Sequence, residues 1–290
     1  MRYRDGFSAR LFVFFPVVAV ALVGCAPQRS EPVKHCPGKG SAEQALAALQ
    51  GSASKLRPFV AYGSGHVSFY TDKKDKPRNE RIPTIKLWFE PPGKVRFWGE
   101  VAFNPRGLDV GSNEQEFWFA AKPKEIGNVY IWGLWSQQTD AMGMLLSPAV
   151  LQQALGVIDT PPGQIWSLSN VQSSDVLALQ DQKGRISRKV YIENCDYRIG
   201  RIEYFDAGQE LVAVLRLGDY RDVDGMFVPA SIEIENPNDD GTADTFEISL
   251  KSIKPADKIK DTVFKRPDTK GFEEVRQIIK GRTVRADVPR

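Results

Sequence analysis

Between residues 85 and 135 apolar and polar side chains alternate with a period of two. Ile85, Leu87 and Phe89 alternate with Lys86, Trp88 and Glu90; after Pro91-Pro92-Gly93, Val95, Phe97, Val101 and Phe103 alternate with Arg96, Trp98 and Glu100. Such a pattern predicts antiparallel strands with one oily face and one wet face. Further strands are expected at 67–70, 115–121 and 128–135. The period changes at 141–156, where Ser147-Pro148 reads as an N-cap with proline at the first helical position and Gly156 as the C-cap. The second half returns to strands at 176–180, 185–193, 199–205, 210–218, 227–234 and 245–253, joined by short polar turns. Two more helices are expected. One opens at Ser41, with Gln44 in the capping-box position and Gly51 at its end, and a short one lies in the tail over 272–279. About ten strands, two or three short helices and no linker predict one large curved antiparallel sheet.

The N-terminus follows different rules. Arg2, Arg4 and Arg10 precede an apolar stretch from Leu11 to Val23, which is shorter than the roughly 20 residues needed to cross a bilayer. Leu22-Val23-Gly24-Cys25 closes it and reads as a lipobox, with Cys25 as the acylated residue. Two or more acyl chains there hold a protein firmly on a membrane. The expected organisation is a signal peptide over 1–24, a lipidated N-terminus and flexible tether over 25–40, a folded domain over 41–268 and a tail over 269–290. The address is the cell envelope. With Ala26 after the cysteine, it is the outer membrane facing the periplasm.

Charge removes one class of partner. The chain carries a formal +3; residues 1–24 hold three Arg and one Asp, so 3 − 2 leaves +1 after cleavage. A nucleic-acid binder would show a strong basic excess. Besides Cys25 there are Cys36 and Cys195, which either pair in an oxidising compartment or remain two free thiols.

Chemistry-bearing motifs are sparse. His35 and His66 are the two histidines, and neither sits at metal-ligand spacing with cysteine. Phosphate-binding glycine motifs and H-E-x-x-H do not occur. Gly63-Ser64-Gly65-His66 reads as a turn entering a strand. Asp219, Asp222 and Asp224 form the densest carboxylate group, but the twelfth position of a calcium loop starting at Asp219 is Ala230. The expectation is therefore a non-enzymatic monomer with no metal and no cofactor.

The lipobox, the capped helices and the run from Leu211 through Gly218-Asp219-Tyr220 to Gly225-Met226-Phe227-Val228-Pro229 resemble the bacterial lipoprotein carrier and receptor superfamily (LolA/LolB-like). Asp261-Thr262-Val263-Phe264-Lys265-Arg266-Pro267 is similar to that family's closing x-Phe-x-x-Pro element. The likeness spans roughly 41–268. It implies a mainly β fold with a few α-helices: an incomplete antiparallel β-barrel of about 11 strands, with helices covering the mouth. It further implies an apolar hollow for acyl chains or lipoproteins as cargo. Leu87, Phe89, Val95, Phe97, Val101 and Phe103 are the expected sheet-side lining. Met142, Met144, Leu145, Leu146, Leu151 and Leu155 would form the lid, where methionine suits irregular apolar guests. Trp88 and Trp98, on the polar phase of their strands, are candidates for a membrane interface or a partner. Two rival readings stand beside lipid binding: a structural or interaction lipoprotein with a filled interior, and an envelope hydrolase using a carboxylate pair.

Overall fold

The computed structural model describes residues 36–70, 76–122, 127–137, 147–160, 163–280 and 282–285. Cys25, the signal segment, and the expected lid residues Met142, Met144, Leu145 and Leu146 lie outside the described residues. The chain order is α1 (Ala42–Ala53), β1 (Phe59–Phe69), β2 (Arg78–Glu90), β3 (Lys94–Val101), β4 (Asn104–Ser112), β5 (Glu116–Ala121), β6 (Val129–Leu134) and α2 (Pro148–Ala154). Then come β7 (Ile165–Val171), β8 (Ser174–Gln180), β9 (Ile186–Glu193), β10 (Ile199–Phe205), β11 (Leu211–Gly218) and the small hairpin β12 (Arg221–Val223) and β13 (Met226–Val228). The last strands are β14 (Ser231–Pro237), β15 (Ala243–Pro255), β16 (Glu274–Ile279) and β17 (Arg282–Arg285).

Fifteen strands form one open sheet in the order β17-β16-β6-β5-β4-β3-β2-β1-β15-β14-β11-β10-β9-β8-β7. Neighbours are antiparallel except β16, which lies parallel to β6. The sheet is thus larger than the expected 11 strands. It is not a closed barrel: among the described residues, β7 and β17 are its two edges and do not pair with each other. The period-two pattern sets its inner face. One row of paired positions runs Leu168, Leu177, Val190, Ile202, Leu215, Ile234, Phe246 and Val67 across eight strands. Leu87, Phe97 and Val110 continue the same face on β2–β4.

Helix α2 packs on β3, β4, β5 and β11, so the sheet curls until its two halves share one helix. Helix α1 packs on β7 and β8. Both caps use the expected serines: Gln44 N–H donates to Ser41 Oγ and Val150 N–H to Ser147 Oγ. Gln44 reaches the amide of Gly40 rather than that of Ser41, and α1 continues through Gly51 to Ala53.

Several local expectations change. The run at 95–103 is broken at Ala102 and Phe103, which occupy left-handed conformations (φ 49° and 62°) in a two-residue hairpin joining β3 to β4. Phe103 is consequently 98% exposed at the turn tip and does not line the inner face; it fell in phase with Val101 only by sequence spacing. The Gly63-Ser64-Gly65 run lies within β1, at a register shift, and does not form a turn. A Cβ on Gly63 would sit 2.1 Å from the carbonyl oxygen of Ser249, so glycine permits this close approach. The tail is β16 and β17, not a helix, because the open edge of β6 offers backbone partners. Residues 36–40 are docked, not a free tether. Lys39 N–H donates to Asp175 Oδ2 (2.9 Å), Asn194 Nδ2 donates to the Cys36 carbonyl (3.3 Å), and Cys36 is disulfide-bonded to Cys195.

Candidate functional site

The inner face is filled unevenly. Leu87, Phe89, Val95, Phe97, Val101, Leu151 and Leu155 are all at most 2% exposed within one apolar core that also includes α1 and α2. Leu155 alone of these lines a described cavity, a small one of about 110 Å³ among α1, α2 and β13. The expected lining residues are therefore packed core in this half of the sheet.

The open space lies elsewhere. A cleft of about 730 Å³ runs between the flank of α2 and the inner face of β8–β11 and β14. One cross-strand row floors it: Leu179, Arg188, Tyr204 and Ala213, on β8 through β11. Val150 of α2, with Trp135, Phe205, Val212 and Ile234, supplies apolar wall, and polar side chains, among them Gln153, Gln164, Asp181, Arg185 and Asn236, make up more than half of the lining residues. Leu179, Ile186, Phe205 and Val212 are only half buried, so apolar surface remains uncovered there. That size is within the range of small-molecule sites.

Two polar side chains are sunk into this cleft. Tyr204 is 3% exposed and its hydroxyl donates to Gln153 Oε1 at 2.6 Å; burial pushes its ionisation well above the ordinary phenol range. Arg188 is 7% exposed, stacks on the Trp166 ring at 5.2 Å, and burial pulls its ionisation down. Arg188 occupies the apolar phase of its strand, between Ile186 and Val190. An arginine out of phase with its strand was the available sequence signal.

The outer face carries a second layer. Trp88, at 7% exposure, packs with Ile259 and Phe264, so the chain after β15 covers it instead of a membrane or partner. Trp98 is edge-on to Trp88 at 4.4 Å, with the guanidinium groups of Arg96 and Arg106 over its ring. Arg96 is 6% exposed and fully engaged. Its Nε and Nη2 donate to Asp109, and its Nη1 to the carbonyls of Val263 and Lys265. Beyond it, a shallower recess of about 680 Å³ is bordered by Arg266, which pairs with Glu116 at 2.7 Å and stacks on Trp132. His66, in β1, shares a hydrogen bond with Asn79. Among the described residues there is no grouping of metal ligands, and no helix is long and apolar enough to cross a membrane.

The chain folds as an open, curled, almost wholly antiparallel sheet with a short helix on its concave side, and this fold is similar to that of several solved structures. A LolA superfamily protein from Nitrosomonas europaea aligns with a TM-score of 0.50 at 11% identity, over 77% of this chain and 97% of that one. A domain from Vibrio parahaemolyticus named for outer-membrane lipoprotein sorting gives 0.52 at 10% identity, over 76% and 94%. A DUF1329 family protein from Desulfovibrio piger gives 0.52 at 15% identity, over 77% and 95%. At these identities the likeness is one of fold. No family model matches the sequence, and no curated protein matches it.

Proposed function

We propose that this protein is a lipid-anchored envelope protein that holds acyl chains, free or on a lipidated protein, in the cleft between α2 and β8–β11. The observation that carries the reading is the cleft itself: about 730 Å³ of space where half-buried apolar side chains stand among polar ones, on the concave side of a lipoprotein-sorting type of fold. Binding there needs no covalent chemistry, since removing apolar area from water supplies roughly 25 cal/mol per Å². The anchor would be acylated Cys25, placing the domain at the outer membrane facing the periplasm as a monomer. The test is saturable binding of a fluorescent fatty acid by the full chain. Ala213→Trp, which puts a large ring on the cleft floor opposite Tyr204, should abolish it. Binding unchanged by Ala213→Trp would refute this location, and no saturable binding would refute the reading.

A second reading is favoured by the solid packing of Leu87, Phe89, Val95, Phe97 and Leu151. In that reading the fold is an interaction scaffold whose interior is filled. Absence of fatty-acid binding, together with intact folding, selects it.

A further inference from the structure

Among the described residues two arginines are deeply buried, Arg96 and Arg188, and they are treated differently. Arg96 uses three nitrogens in four hydrogen bonds and has a carboxylate partner. Arg188 is equally buried, yet its one hydrogen bond is from Nη2 to the main-chain carbonyl of Asp159, at 3.3 Å, and its Nε is buried with no acceptor. Among the described residues it has no ion-pair partner. A guanidinium has five donors, and burying a charge unpaired costs several kcal/mol. Arg188 thus brings unused donors to the lining of the cleft, whereas Arg96 is tied into the fold.

The other charges around the cleft do not use those donors. Asp181 is held by Arg185 at 2.7 Å. Asp206 Oδ1 accepts the amides of Gly208 and Glu210 in its own turn. Asp159 is exposed, accepts from Arg188 through its carbonyl, and its charge acts on Arg188 without forming an ion-pair contact. Beside Arg188, Gln153 has its Oε1 taken by Tyr204, and its NH2 group adds a second donor to the same wall.

We infer that Arg188 is an anion subsite, so that the cleft selects single-chain amphiphiles with a carboxylate or phosphate head over neutral ones. The head meets Arg188 and Gln153, and the tail runs along Val150, Phe205, Val212 and Ile234. This inference rests on the acyl-binding reading above and adds the head group. Charge-assisted hydrogen bonds are roughly twice as strong as neutral ones, which sets the expected discrimination at about tenfold or more.

Calorimetric titration of the full chain with decanoate, decyl phosphate and decanol tests it. At least one anion should bind about tenfold more tightly than decanol, and the better of the two identifies the head. In Arg188→Gln that ratio should collapse to about one; Arg188→Lys should restore part of it. Equal binding of all three compounds by the unaltered chain overturns the anion subsite alone and requires no variant. So does a ratio that persists in Arg188→Gln. Failure of all three to bind overturns the acyl-binding reading with it.

Discussion

Asp109→Ala should be among the most damaging single changes available outside the inner core. Asp109 is 6% exposed and accepts Nε of Arg96 at 3.1 Å, Nη2 at 2.6 Å, and the indole N–H of Trp118 at 3.0 Å. Its removal leaves a buried guanidinium without its counter-charge, which typically costs about 3–5 kcal/mol. An unsatisfied Trp118 N–H adds about 1–3 kcal/mol, partly offset by local relaxation. For a domain of this size each kcal/mol lowers Tm by roughly 2–4 °C, so a loss on the order of 10 °C is expected. Arg96 also holds the Val263 and Lys265 carbonyls, so the strap over Trp88 should loosen with it. Urea unfolding followed by tryptophan fluorescence gives the free energy, and limited proteolysis after residue 255 reports the strap. Replacing both partners, Arg96→Met with Asp109→Leu, removes the stranded charge and should cost less than Asp109→Ala alone. If Asp109→Ala costs under about 1 kcal/mol, or the double variant is the worse of the two, the pair is not what organises the outer layer.

Two other expectations concern covalent and ionisation chemistry. The Cys36–Cys195 bond spans 159 residues, and chain-entropy reasoning gives an upper bound of about 5 kcal/mol for such a loop. Cys36→Ser should therefore lower the urea midpoint and free residues 36–40, and intact mass of the unreduced protein should fall two hydrogens short of the reduced form; two free thiols would refute the link. Burial raises the Tyr130 hydroxyl to about 12, against an opposing hydrogen bond from Arg266, and Tyr197, Tyr204 and Tyr220 are raised as well. Each phenol is neutral when protonated, so this stabilisation is complete below the ordinary value near 10 and is lost as pH rises through about 12. Unfolding midpoints should decline over that window, less steeply in Tyr130→Phe, and a flat profile would contradict the assignment.

The sequence revealed the strands whose alternation is strict and whose two faces differ. Ile85-Leu87-Phe89 and Val95-Phe97 face inward as their period requires, and Ser147-Pro148 caps α2. Elements carried by long-range contacts were hidden. β4 begins Asn-Pro-Arg-Gly, which reads as loop, and β7 is too polar to stand out. Val275, Ile278 and Ile279 have helical spacing, yet pairing with the β6 edge overrides that weak local preference. Trp88 looked exposed because nothing local shows that residues 256–264 return to cover it. The candidate site failed to show for the same reason: apolar phase marks what faces inward, and cannot say which inward residues find a neighbour to fill their space.

That division follows from the length of α2. Seven residues at 1.5 Å rise make a rod of about 10 Å, whereas adjacent strands lie about 4.8 Å apart. Such a rod covers the width of two or three strands, and here it is spent on β3, β4 and β5, with β11 meeting its other side. Leu151, Ala154 and Leu155 are buried in the apolar core of that half. The inner positions of β8–β10 beyond the helix keep Leu179, Arg188 and Tyr204 facing a space that the helix flank borders without filling. A longer helix with apolar residues in place of Gln153 would have closed the sheet over a dry core. The short helix instead leaves a cleft with a guanidinium in its floor.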